Sequence, residues 1–215
     1  MKLDNFFDKI YVINLKRRAD RLEKFFQGIA PYVTTAQSIE VVEAVDGLAE
    51  RPDLGSSAGK WGCTASHIKI HDLILERGHK KILIFEDDCD FFESFEEIFS
   101  RSVEDLPDDW DMFYLGSNPL VRPQQVKNRV HRLNKAYAIM ACAVTKGFIE
   151  KNHKLLREWV VAHAGHPAMN MDVRYSEIHQ AINAYCVYPS ICGMFASYSD
   201  LENREVDYSV FRNQS

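Results

Sequence analysis

The chain has 215 residues, of which 26 are Lys or Arg and 31 are Asp or Glu, for a net charge of −5. At 46% apolar and 27% charged it sits at the globular average, which excludes collagen-like, low-complexity and disordered chains. The acidic balance argues against nucleic acid as a partner, and a chain of this length buries a core without disulfide or zinc staples.

The run from Lys9 to Leu15 predicts a strand, and a helix follows from Ala19 to Ile29 with Leu22, Phe25, Phe26 and Ile29 on one face. A second strand is expected from Ile39 to Val45, closed by the turn signal Asp46-Gly47. Residues 47–62, with Gly47, Pro52, Gly55, Gly59 and Gly62, predict a long surface loop, of the kind that carries function. A helix is then expected from Thr64 to Arg77, stopped by Gly78. The uninterrupted apolar run Lys81–Phe85 predicts a strand buried on both faces, and Trp110–Gly116 and Ala136–Val144 predict two more. Helices are expected from Lys146 to Val161 and from Val173 to Asn183, then a strand at Tyr185–Tyr188. The alternation predicts an α/β sandwich around a central, mostly parallel sheet, forming a single domain over residues 1–200 with a polar tail at 201–215.

The N-terminal stretch breaks its apolar residues with charges, so it lacks the core of a signal peptide. No later stretch reaches the roughly 18–20 apolar residues of a membrane span, which leaves peripheral association as the only expected membrane contact. Five scattered cysteines without a CxxC pair predict reduced, mostly buried thiols and a cytoplasmic setting.

The strongest chemical signal is Glu86-Asp87-Asp88-Cys89-Asp90 at the carboxyl end of a buried strand, where open α/β sheets bind ligands. Crowded carboxylates raise one another's pKa unless a cation or donor array compensates, and oxygen ligands suit Mg²⁺ or Mn²⁺. A solvated acidic loop is the plain alternative. The second signal, Asn14-Leu15-Lys16-Arg17-Arg18-Ala19-Asp20-Arg21, gathers cations at a helix N-terminus, suited to phosphate. The plain alternative is a helix start with weak surface ion pairs. His67 and His71 stand at i and i+4, zinc-pair spacing, but with no third ligand evident; Cys63 shares their face, and a core histidine is the plain reading. Asp172 and Asp200 are lone acids, and Trp61 is a candidate for stacking on a sugar or base.

Tyr11-Val-Ile-Asn-Leu-Lys-Arg-Arg-Ala-Asp-Arg21, Ala44-Val-Asp-Gly47, Gly62-Cys63-x-x-Ser66-His67 and Ile84-Phe-Glu-Asp-Asp88, in this order and spacing, resemble glycosyltransferase family 25. Trp110-Asp-x-x-Tyr-Leu-Gly116, Ala136-Tyr137 and Asp172 extend the likeness, which runs from residue 9 to about 200. The resemblance implies a GT-A type, Rossmann-like fold, a UDP-sugar donor, usually UDP-galactose, and Mn²⁺ or Mg²⁺. It further implies inverting transfer to a glycan, lipid-linked glycan or glycoprotein, as in lipopolysaccharide biosynthesis. Carried onto this chain, it places Asn14, Leu15, Arg17, Arg21, Ala44, Asp46, Gly47, Ser66, His67, Glu86 and Asp87 at the donor. Glu86-Asp87-Asp88 matches the family's acidic motif and Asp88-Cys89-Asp90 spells the overlapping Asp-x-Asp, two registers for the metal. Asp88 is favoured, with Asp90 in the second register and Asp87 or Glu86 nearer the ribose. The catalytic base is expected at Asp172, with Asp200 as second choice. A metal-dependent phosphohydrolase and a catalytically silent sugar-binding module remain as alternatives.

Overall fold

The computed structural model describes residues 1–200 and 204–207. Strand β1 (Lys9–Asn14) leads into helix α1 (Ala19–Ile29), then β2 (Ile39–Glu43). Helices α2 (Gly47–Glu50) and α3 (Ala58–Arg77) follow, then β3 (Lys81–Glu86), β4 (Cys89–Phe91) and α4 (Phe95–Asp105). Next come β5 (Met112–Pro119), β6 (Gln124–Lys127), β7 (Val130–Arg132), β8 (Ala136–Thr145), α5 (Lys146–Ala162) and α6 (Met171–Ile178). The chain closes with β9 (Ala184–Val187), β10 (Cys192–Met194), β11 (Ser197–Ser199) and β12 (Arg204–Val206). The expected tail thus contributes a short hairpin strand, and the rest of it, 201–203 and 208–215, lies outside the described residues.

The main sheet has eight strands in the order β2-β1-β3-β8-β5-β9-β7-β6. β1 pairs in parallel with both β2 and β3, and β5 in parallel with β9. β8 runs antiparallel between β3 and β5, so the sheet is mixed, with most of its strands pointing one way. Alternation along each strand splits the core into two layers. Ile10, Val12, Leu83 and Phe85 face α1 and α4 through Phe25, Ile29, Phe95 and Phe99. Tyr11, Ile13, Ile82 and Ile84 face α3, α5 and α6 through Ile70, Ile74, Phe148 and Tyr175. Both faces being covered explains the uninterrupted apolar runs.

Two expectations need correction. Residues 47–62 are not a loop: α2, a 3₁₀ turn at Pro52–Ser57 and the first turn of α3 occupy them, and α3 begins at Ala58 rather than Thr64. Gly47 and Gly62 serve close packing, not chain reversal. A Cβ on Gly47 would sit 1.8 Å from the Ala58 carbonyl oxygen, and one on Gly62 2.5 Å from that of Val45. Only at Gly55, with φ 53°, does the backbone itself favour glycine. The second correction lies at residues 173–183, where α6 starts earlier and gives way to a 3₁₀ turn at His179–Ala181. Helix α4 is an element the sequence pattern does not reveal. Its outer face is acidic, while Phe95, Phe99 and Ser102 are buried at helical spacing.

Gly62→Ala is expected to destabilise the fold by about 1–3 kcal/mol or more, because the methyl meets backbone that has no room to yield. Denaturant unfolding reads this directly; unchanged stability would mean that the α2–α3 contact is looser than the geometry indicates.

Candidate functional site

The parallel pairing of β1 and β3 sets Ile13 opposite Glu86, so the two carboxyl ends deliver Asn14 and Asp87 to the same place. The Asn14 side-chain amide donates to Asp87 Oδ2 at 2.7 Å and to the Arg18 carbonyl at 2.9 Å. Arg21, on the first turn of α1, reaches Asp87 Oδ1 at 3.0 Å and Asp88 Oδ2 at 2.5 Å. Asp87 and Asp88 are only 6% and 9% exposed, so a solvated acidic loop does not describe them. Burial pushes the Asp87 carboxyl up to about 6, with Arg21 and Asn14 pulling it back only in part. Burial raises Asp88 as well, to about 7, despite Arg21 beside it.

Arg21, Asp87 and Asp88 form the floor of a cleft at the carboxyl ends of β1 and β3. Across its mouth, Arg17 pairs with Asp46 on one side and with Asp200 at 3.0 Å on the other. Arg18 donates to Asp200 Oδ2 at 2.5 Å and to the Tyr198 carbonyl at 3.0 Å. Burial alone would raise the Asp200 carboxyl, but Arg18 and Arg17 outweigh it and hold it below the usual range.

The third wall is the segment Ala44–Gly47, and Ser66 fixes it. The Ser66 hydroxyl accepts from the Val45 N–H at 2.8 Å and donates to the Gly62 carbonyl at 2.7 Å. The i, i+4 spacing of Gly62 and Ser66 thus has a mechanical reason: the glycine admits the loop and the serine holds it. Ser66→Ala leaves the Val45 N–H without its partner, for an expected loss of about 1–3 kcal/mol. Donor affinity should fall with it, whereas full retention of both would show that Ser66 does not hold this wall.

A second cluster starts in the cleft wall, at Cys63 and Glu86, and runs behind it. Cys63 Sγ donates to Glu86 Oε1 across 3.7 Å, and His67 Nε2 stands 3.5 Å from the same oxygen. Asp172 is close enough to act electrostatically on both Cys63 and His67. Its carboxylate accepts from the Ala138 N–H at 3.1 Å and the Val173 N–H at 2.7 Å. Burial raises Asp172, while those two N–H groups pull the other way. Ala138 has φ 64°, a conformation disfavoured for a residue with a side chain, and its N–H is the one that Asp172 holds.

Of the residues singled out in the sequence, Leu15, Arg17, Arg21, Ala44, Asp46, Gly47, Ser66, Glu86, Asp87, Asp88 and Asp200 line the cleft. Asn14 lies beneath it through Asp87, and His67 and Asp172 lie behind Glu86. Asp90 is on β4, in register with Gly193 of β10, and does not line the cleft. His71 takes no part: its Nε2 bonds the Tyr175 hydroxyl at 2.7 Å in the core. Trp61 is covered by the Arg51 guanidinium, 5.5 Å from the ring centroid. Cys63 and Ser199 line the cleft without having been singled out for it, and Cys63 alone carried a signal, its place one turn before His67.

The residues fit a divalent ion. Asp88 Oδ1 is buried and, among the described residues, has no hydrogen-bond partner, an orphaned acceptor that a cation would satisfy. An all-oxygen set of one or two carboxylates completed by phosphate oxygens suits Mg²⁺ or Mn²⁺. In metal-free buffer the Asp88 charge is a cost. A folded carboxyl raised above its unfolded 3.8 contributes stability that is full below 3.8 and lost as pH rises through about 7. Asp88→Asn should therefore melt higher than the parent at pH 8, with the gap closing as pH falls below about 7. A gap that does not depend on pH would contradict the burial assignment.

Comparison with known proteins agrees with this architecture. The model of the family described as Glycosyltransferase family 25 (LPS biosynthesis protein) matches residues 7–168. Procollagen galactosyltransferase 1 of Danio rerio is 32% identical over 155 residues, covering 60% of this chain and 25% of that protein. Inactive glycosyltransferase 25 family member 3 of Homo sapiens is 32% identical over 136 residues, covering 51% of this chain and 22% of that protein. The chain thus spans about a quarter of the length of these curated relatives. The solved mannose-1-phosphate geranyltransferase from Thermus thermophilus superposes with a TM-score of 0.51 at 14% identity, covering 83% of this chain and 72% of that one. That likeness is one of fold, and the fold is a GT-A-like α/β sandwich. Among the described residues no helix is long and apolar enough to cross a membrane.

Proposed function

The chain belongs to glycosyltransferase family 25, and on that premise we propose that it transfers a hexose, galactose first among the candidates, from a UDP-sugar to a hydroxyl of a glycan or glycoprotein, with Mn²⁺ or Mg²⁺ and inversion at the anomeric carbon. The observation that carries this reading is the meeting of Arg17, Arg21, Asp87 and Asp88 in one cleft at the carboxyl ends of β1 and β3, with Asp88 Oδ1 unsatisfied. Cations and a divalent-ion site side by side suit a diphosphate.

Asp88, with Asp87 beside it, would hold the ion, whose chemistry is to neutralise charge on the departing diphosphate. Arg17 and Arg21 add fixed positive charge at the same place, and the pairs they already make keep them aimed without reorganisation. Asn14 fixes the Asp87 carboxylate, and Glu86 lines the same cleft with its Oε1 turned toward Cys63 and His67. Ala44–Gly47, held by Ser66, closes over the donor. The acceptor hydroxyl must lose a proton as its oxygen attacks, and Asp172 takes it. Its raised pKa suits a base, whereas Asp200 is neutralised by two arginines and organises them instead.

A second reading has support of its own. Arg21 already compensates Asp87 and Asp88, and one relative is named inactive, so the chain could bind a nucleotide sugar without turning it over. UDP release from UDP-galactose, UDP-glucose and UDP-N-acetylglucosamine, measured with Mn²⁺ against procollagen peptides and lipopolysaccharide acceptors, separates the two. Metal-dependent release with one donor–acceptor pair is expected for the enzyme. Saturable UDP binding without release in any combination supports the silent module.

A further inference from the structure

Cys63 and His67 stand one turn apart on α3 and face Glu86 at the end of β3. One ligand atom from each, a thiol sulfur, an imidazole nitrogen and a carboxylate oxygen, all lie within 4.8 Å of one another. The His67 side chain is only 1% exposed, and among the described residues neither ring nitrogen has a hydrogen-bond partner. A buried imidazole with both nitrogens unsatisfied is costly, and ligation of a metal by one of them removes part of that cost. The pair that spacing suggested, His67 with His71, is not the one the fold assembles: His71 is taken by Tyr175, and Cys63 and Glu86 supply the other two ligands.

We propose that Cys63, His67 and Glu86 form a zinc-type metal site beside the donor cleft, chemically distinct from the all-oxygen position at Asp88. Thiolate and imidazole select zinc-like ions over Mg²⁺ and Mn²⁺, while the Asp88 carboxylate selects the reverse. Three protein ligands leave one tetrahedral position for water or a ligand oxygen, the pattern of an open zinc site. Binding forms the sulfur–metal bond as the Cys63 S–H proton passes to solvent, so affinity rises with pH. This inference goes beyond the proposed transfer reaction and does not depend on it.

Cobalt(II) added to the reduced, metal-free protein is the test, because it reports its ligands by absorption. The expected result is a thiolate-to-cobalt charge-transfer band with tetrahedral d–d bands, saturating at one equivalent and bleached by zinc. Cys63→Ser should abolish the charge-transfer band, and His67→Gln should weaken zinc binding by about tenfold or more. Asp88→Asn should leave the band intact, which separates this site from the donor ion. A saturating cobalt titration without a thiolate band overturns the proposal, as does a band that survives in Cys63→Ser, since that band comes from another cysteine. Circular dichroism of each variant shows whether a lost band reflects a lost ligand or a lost fold. If Cys63→Ser fails to fold, alkylation of Cys63 by iodoacetamide in the native protein decides: protection by one equivalent of zinc supports the site, and unprotected alkylation overturns it.

Discussion

Asp172→Asn is expected to lower the rate of sugar transfer by about 10²–10⁴-fold while leaving UDP affinity nearly unchanged, the signature of a lost general base. Asp172 accepts two backbone N–H bonds and is raised by burial, so it is oriented and keeps an appetite for a proton. The Ala138 and Val173 N–H groups are held by different oxygens, so Asn keeps one of the two bonds and sets its amide against the other. Circular dichroism of the variant separates a lost base from a lost fold. Asp200→Asn makes the contrasting case. It frees Arg17 and Arg18 from a shared carboxylate and should change donor KM more than kcat. If Asp172→Asn turns over normally and Asp200→Asn does not, the two roles are reversed.

The second large effect is on stability. Arg21→Ala is expected to cost about 3–5 kcal/mol in metal-free buffer at pH 8, because it strands two buried carboxylates without their cation. The loss should shrink at pH 5, where carboxyls raised by burial take up protons and shed the charge. Mn²⁺ should restore part of it by replacing one cation with another. A variant as stable as the parent at pH 8 would mean that Asp87 and Asp88 do not need Arg21. A loss unchanged by pH would trace it to packing of the arginine stem.

How far the sequence discloses this site depends on which contacts are local. Buried strands read clearly: Lys81–Glu86 carries an apolar run that fits only a two-sided core, so its carboxyl end, and the acids there, could be placed at once. Arg21 is different. The run Arg17–Arg21 reads as a phosphate site, yet Arg21 is also the counter-ion of Asp87 and Asp88, a role fixed by the parallel pairing of β1 and β3 and not by any local spacing. The glycines at 47 and 62 mislead for the same reason. A glycine admitting a neighbouring backbone and a glycine in a turn have the same letter, and only the partner 15 residues away tells them apart. Helix α4 hides because its charges outnumber the residues it buries. The antiparallel insertion of β8 between β3 and β5 is a matter of chain path, which composition does not encode.

The central claim is that the cleft at β1 and β3 binds a nucleotide sugar with a divalent ion held at Asp88. Thermal melting of the purified protein against UDP-galactose, with and without Mn²⁺, tests it most directly. A ligand that binds only the folded state, at a hundredfold excess over its Kd, stabilises by about 2.7 kcal/mol. The account predicts a rise of that order that requires Mn²⁺ and disappears in Asp88→Ala. No rise with any UDP-sugar in the presence of Mn²⁺, or a rise that survives in Asp88→Ala, would contradict it.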